Sequence, residues 1–160
     1  MNIRKWLEFL DADNNEDRSK IIKFIFIWMK YNQWYNEAYP EIRGDKKKAL
    51  EINKNKDAID AYLPLKENFL NTFKNIPSIH CSIGSRDCLW ADNALENEVL
   101  FNEQYCDLKQ FLTLIYQIRC NFLHGDKELD KTNIKLVIWA HDSLYSFLKA
   151  FGFDLSYHSS

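Results

Sequence analysis

The sequence predicts an all-α protein, one domain over residues 1–160 built as a small bundle of four to five main helices. Three observations predict it. Turn formers are scarce, with 4 Gly and 3 Pro in 160 residues, too few for the many tight turns of a sandwich or barrel. Apolar residues make up 46% of the chain and aromatic residues 15%. That is enough for a real core rich in rings, each burying on the order of 150–250 Å². Finally, apolar positions recur at helical spacing over several long stretches.

Trp6 to Leu10 form a short amphipathic start, which the polar cluster 11–17 ends. A strong helix follows over about 18–39, with Ile21, Phe24, Ile25, Trp28, Tyr31 and Tyr35 on its buried face. Pro40 stops it. Gly44 opens a polar helix over 45–54. The stretch 57–74 carries Ile59, Tyr62, Leu63, Phe69 and Phe73. Pro64 must start, kink or break a helix there, because it lacks an N–H and clashes with the preceding turn. Over 77–97 the pattern fades into a long loop.

Two clear helices finish the chain. The first starts at Glu98 or Gln104 and runs to Leu123, with Leu108, Phe111, Leu112, Ile115, Ile118 and Phe122 facing inward. Gly125 suits the left-handed residue that ends a helix. The second runs over 131–150 with Ile134, Val137, Ile138, Leu144, Leu148 and Phe151 inward, and Gly152 follows it. The short polar link 126–130 makes the two antiparallel neighbours.

Charge narrows the function classes. A net charge of −2 argues against coating nucleic acid by bulk electrostatics, yet leaves room for a small local basic site. Lys46, Lys47 and Lys48 read as a solvated helix face. No secretory signal is visible, and the apolar run 21–29 is far short of the roughly 20 residues that span a bilayer. A cytoplasmic protein with no membrane partner is expected. Cys81, Cys88, Cys106 and Cys120 form no CxxC pair. His80, Cys81 and Cys88 lack the paired spacing of structural zinc, so no metal and no cofactor is expected. The cysteines read as partly buried thiols in a reducing compartment.

The chemistry concentrates in Ile118, Arg119, Cys120, Asn121, Phe122, Leu123, His124 and Gly125. At ~100° per residue, Arg119 sits only about 60° from the centre of its helix's apolar stripe. A long cation in that position needs a partner or a ligand. On an ideal helix His124 lies about 140° from Arg119, and Gly125 lets the last turn unwind and re-aim the imidazole.

Here the sequence resembles the HEPN superfamily, the higher eukaryote and prokaryote nucleotide-binding domains. The resemblance rests on Arg-x4-His with Asn121 two after the Arg and Gly125 after the His. The early aromatic helix, Phe24 to Asn36, and the order of parts are also similar. It covers about residues 18–152. It implies a small helical bundle that usually dimerises. It also implies a metal-independent endoribonuclease, commonly a toxin or phage-defence effector, in which the Arg and His of two protomers face each other across a cleft. Carried over, Arg119 and His124 are the catalytic pair and Asn121 is the supporting polar residue. An antitoxin protein is then a further expected partner. One position departs from the pattern: Cys120 stands where active members usually carry a polar residue.

The chemistry is coherent on its own terms. RNA carries its own nucleophile, the 2′-OH. A histidine with an ordinary pKa near ~6.5 can remove that proton near neutral pH. An Arg stabilises the charge that grows on the attacked phosphate. The expected products are a 2′,3′-cyclic phosphate and a 5′-OH.

Plainer readings stand beside these. Arg119 could be a helix-edge residue paired with a carboxylate, His124 a C-terminal cap suited to the helix dipole, and Asn121 a side chain bonded to backbone. Asn32, on the face of Trp28 and Tyr35, either orients Arg119 or links two helices. Lys127 either touches phosphate or is an exposed lysine. His141 reads as a satisfied core histidine. Trp28, Tyr31, Trp34 and Tyr35 read as core rather than as a stacking platform for bases. The alternative function is a non-catalytic HEPN-like module that dimerises or binds a partner.

Overall fold

Every regular element in the computed structural model, which describes residues 15–76, 101–124 and 131–155, is helical. Six α-helices follow in order: α1 (Asn15–Ala38), α2 (Asp45–Glu51), α3 (Lys56–Tyr62), α4 (Lys66–Lys74), α5 (Leu108–His124) and α6 (Lys131–Phe151). A 3-10 turn, Ile52–Lys54, extends α2. The Trp6–Leu10 start, the 77–97 loop, His80, Cys81, Cys88, Gly125 and Lys127 lie outside the described residues.

Among the described residues the expected four to five helices become six, because Pro64 breaks the 57–74 stretch outright. It sits in the turn between α3 and α4, which the Leu65 N–H to Tyr62 carbonyl bond closes at 2.9 Å. Asn55 starts α3 by accepting the Ala58 N–H on its side chain, a standard N-cap. Helix α5 begins at Leu108, later than either expected start. Asn102 and Tyr105 bridge backbone to backbone just before it, and the Asp107 carboxylate accepts the Gln110 N–H at 2.7 Å. Helix α6 ends at Gly152, as its position predicts. Gly152 has φ +114°, Phe153 N–H bonds back to Leu148, and Gly152 N–H to Lys149. This is the Schellman arrangement that favours glycine.

Ring and ion contacts fix the directions. Lys20 meets Asp142 at 3.2 Å and Trp34 meets Phe151, so α1 and α6 run parallel. Phe24 meets Phe122 and Trp28 meets Tyr116, so α1 and α5 run antiparallel. Helices α5 and α6 are therefore antiparallel, as the short link requires.

The buried face of α1 is Ile21, Phe24, Ile27, Trp28, Tyr31 and Tyr35. Ile27 takes the place expected for Ile25, which is half-buried. Helix α6 buries a broader face than one stripe, because it touches α1, α3, α4 and α5. Leu136, Trp139, Ala140 and Phe147 are buried with Val137, Leu144 and Leu148, while Ile138 is only half-buried. Trp139 Nε1 donates to the Phe69 carbonyl and to Thr72 Oγ1, tying α6 to α4. His141 is buried but only half satisfied. Its Nδ1 lies 2.8 Å from Asp142 Oδ1, while Nε2 has no hydrogen-bond partner. The carboxylate belongs to the next residue and reaches one side of the ring alone. Among the described residues, no helix is long and apolar enough to cross a membrane.

The core holds its tyrosines as neutral phenols. Burial chiefly pushes up the ionisation of Tyr31, with Tyr35 and Tyr39 adding to it. Burial does the same for Tyr62, with Cys106 and Asp107 adding. Tyr31 donates to the Ala49 carbonyl and Tyr62 to the Cys106 carbonyl at 2.6 Å. A folded-state pKa raised above the unfolded value near ~10 gives stability that is complete below that pH and is lost as pH rises through the folded pKa. In alkaline titration the last phenolate absorbance should therefore rise together with loss of helical circular dichroism. Complete ionisation near pH ~10 with the helices intact would contradict this packing.

Candidate functional site

Arg119 lies in the penultimate turn of α5, at the edge of the stripe that Phe111, Ile115 and Ile118 bury. The antiparallel pairing of α1 and α5 brings Trp28 to it. The guanidinium carbon lies 5.6 Å from the Trp28 ring centroid and 5.7 Å from that of Tyr116, one turn back on α5. The sequence demands a partner for this cation. Two aromatic faces are prominent among its neighbours, each worth ~0.5–2 kcal/mol depending on desolvation. Nη1 also lies 3.6 Å from Cys120 Sγ. Arg119 is half-buried, yet its Nε is fully buried with no hydrogen-bond partner, and so is Nε1 of Trp28.

A second cluster adjoins this pair. Gly44, at φ +103°, turns the chain into α2, whose first residue is Asp45. The Asp45 carboxylate accepts three donors: the Tyr35 hydroxyl at 2.7 Å, the Tyr116 hydroxyl at 3.1 Å and Asn32 Nδ2 at 3.2 Å. Asn32 also donates to the Tyr35 hydroxyl. The Asn32 amide thus links α1 to α2 rather than reaching directly for Arg119. Both phenols are pushed up in pKa. For Tyr35 the causes are burial first and then the bond to Asp45, with Asn32 and Arg119 opposing. For Tyr116 they are burial, then Cys120 and Asp45, with Arg119 opposing. Both hydroxyls therefore stay protonated donors at neutral pH.

Asp45, Tyr116 and Trp28 are the site residues that sequence reasoning missed. The i, i+3 spacing of Tyr116 to Arg119 was the one available signal. Asp45 arrives by tertiary packing, 71 residues from its phenol partner on α5. The backbone of α5 stays helical to His124. The five-residue spacing therefore puts Arg119 and His124 about 140° apart around the axis and ~7.5 Å along it. The side chains of Asn121 and His124 lie outside the described residues. No group of three metal-ligating side chains gathers among the described residues. A cleft of about 440 Å³ lies at the other end of α5, beside Leu63, Lys66, Tyr105 and Lys109, and Arg119 does not line it.

What this arrangement offers an anion is a planar cation fixed on two ring faces. The Tyr35 and Tyr116 hydroxyl protons are already given to Asp45, which anchors the cluster. Asp45→Ala should cost on the order of 1–3 kcal/mol in urea unfolding, the range for stranding donors that were bonded to a charged acceptor. An unchanged unfolding midpoint would show that the cluster does not hold α2 to α1 and α5. No family model, no curated protein and no solved structure matches this chain.

Proposed function

We propose that the protein is a metal-independent endoribonuclease of the HEPN type, working as a homodimer in which Arg119 and His124 cut RNA. The observation that carries this reading is the guanidinium of Arg119. It is held against Trp28 and Tyr116 with its Nε unpartnered, on the helix that His124 closes. A cation fixed in this way is pre-organised for the charge that develops on phosphate.

In this mechanism a neutral imidazole of His124 takes the proton of the RNA 2′-OH. The 2′ oxygen attacks the adjacent phosphorus, and the bond to the 5′ oxygen breaks. An imidazolium, supplied by the second copy, protonates the leaving 5′ oxygen. Arg119 balances the added negative charge on the non-bridging oxygens. The products are a 2′,3′-cyclic phosphate and a 5′-OH. Asn121 supports the pair and Lys127 touches the flanking phosphate.

Two copies resolve the angular problem, since residues about 140° apart on one helix do not converge on a single atom by themselves. An exposed apolar row on α1 supports such a dimer. Ile22, Phe26 and Met29 are all exposed at spacings of four and three, with half-buried Ile25 between them and Trp28. Isologous pairing of this row would cover it. In the cell the activity fits a toxin or phage-defence effector restrained by an antitoxin, which growth arrest on expression would reveal.

A second reading, a non-catalytic module that dimerises or binds a partner, draws support from Cys120. Its sulfur sits against Arg119 Nη1 and takes up part of the guanidinium's donor capacity.

Cleavage separates the two. Purified protein should cut a mixed RNA in EDTA and leave 2′,3′-cyclic ends. His124→Ala and Arg119→Ala should each lower the rate by ~10²-fold or more. Phe26→Glu should shift the sedimentation mass to the monomer and lose cleavage with it. Products ending in 3′-OH, or equal cutting by His124→Ala, would reject the mechanism. No cutting of a broad RNA set would leave the binding-module reading in its place.

A further inference from the structure

The large apolar side chains left exposed among the described residues fall into two groups. Ile22, Phe26 and Met29 lie on α1; Leu63 and Tyr105 are the others, at 53% and 45% exposure. These two come from separate elements, the end of α3 and the turn before α5. Yet both line the cleft of about 440 Å³ at the start of α5. That volume lies in the range of small-ligand sites, ~300–1,000 Å³. The turn that displays Tyr105 is fixed from within. Asn102 Oδ1 accepts the N–H groups of Gln104 and Tyr105 at 2.9 and 3.1 Å, and the backbones of Asn102 and Tyr105 bridge. The ring is held at the surface rather than folded into the core.

Four charged side chains line the same cleft. Its two acids are committed. Glu103 pairs with Lys74, and the Asp107 carboxylate caps α5 by accepting the Gln110 N–H at 2.7 Å. Its two cations, Lys66 and Lys109, have no acceptor among the described residues. Gln104 and Gln110 also line the cleft, and their side-chain amides have no partner there. Each amide carries both a donor and an acceptor. A bare anion would leave the ring and Leu63 unused, and a neutral apolar ligand would leave both ammoniums unmatched. The ligand that matches the whole set has a flat ring, polar ring edges and a negative group. A nucleotide has all three.

We propose that this cleft binds one nucleotide, with its base on the ring of Tyr105 and its phosphate on Lys66 and Lys109. The amides of Gln104 and Gln110 read the edge of the base, and Leu63 supplies apolar wall. The nucleotide is either free or one unit of an RNA strand; a base joined to a phosphate is common to both. The start of α5 lies ~16 Å along the helix axis from Arg119. The cleft is therefore a site of its own and stands whether or not the protein cuts RNA.

Nuclear magnetic resonance titration of the full chain with the four nucleoside 5′-monophosphates, AMP, GMP, CMP and UMP, tests this. At least one should move the backbone amide signals of residues 104–110 saturably. Tyr105→Ala should weaken that binding by roughly tenfold or more, the scale of one base on one ring. Tyr105→Phe, which keeps the stacking face, should retain it. Lys66→Ala combined with Lys109→Ala should weaken it and remove its dependence on salt, and should leave binding of the parent nucleoside, which has no phosphate, unchanged. All three side chains are accessible, so helical circular dichroism should stay as in the wild type. Tighter binding of a tetranucleotide RNA than of the monophosphate would place a strand in the cleft; equal or weaker binding would place a free nucleotide there. No saturable movement with any of the four at millimolar concentration would overturn the proposal, and so would equal binding by Tyr105→Ala.

Discussion

The aromatic face of α1 is the constraint on which the rest of the structure depends. Phe24, Trp28, Tyr31 and Tyr35 lie on one side of a 24-residue helix. Trp28 alone meets Tyr31, Tyr35 and Tyr116 edge to face. Such contacts add ~0.5–1.5 kcal/mol each beyond their buried area and prefer set angles, so they fix direction as well as proximity. Helix α5 runs antiparallel to place Phe122 on Phe24 and Tyr116 on Trp28, and α6 runs parallel to place Asp142 at Lys20 and Phe151 on Trp34. The same face that organises the bundle also receives Arg119.

That double use creates a tension. The rings that make a good core make an incomplete home for a cation. They attract the guanidinium by their quadrupoles, but they cannot accept a hydrogen bond from its Nε. An apolar side chain of similar length would pack there without the stranded donor, and exchanging buried charge for apolar packing is often neutral or stabilising. Locally unfavourable residues in an otherwise consistent fold tend to sit at functional sites. Arg119 fits that pattern: the adjoining Tyr35, Tyr116 and Asn32 all bond to Asp45, while its own Nε stays unpartnered.

Much of the fold was legible because helical periodicity and stop signals are local. The end of α1 ahead of Pro40, the stop of α6 at Gly152 and the antiparallel last pair all follow from spacing within a few residues. The rest depends on what each helix meets. Pro64 allowed a start, a kink or a break, and only the turn between α3 and α4 selects the break. Helix α6 showed one stripe in sequence but buries more, since several helices crowd it. The site divides in the same way. That Arg119 needs a partner could be read from its angle to the stripe. That its partners include two rings, and that Asp45 stands behind them, required the chain to fold. Asn32 was read as either an orienting or a linking residue, and its bonds to Asp45 and Tyr35 make it a link between α1 and α2.

If Arg119 is kept for a ligand, the fold alone should not need its charge. The most direct measurement is the urea unfolding free energy of Arg119→Met, which retains a long flexible stem and removes the cation, against the wild type without RNA or phosphate. The expected result is a stability equal to or above wild type, because a stranded buried donor is relieved. A loss of more than about 2 kcal/mol would instead make Arg119 a structural residue, held by Trp28 and Tyr116 for the sake of the bundle, and would remove the ground for placing a phosphate beside it.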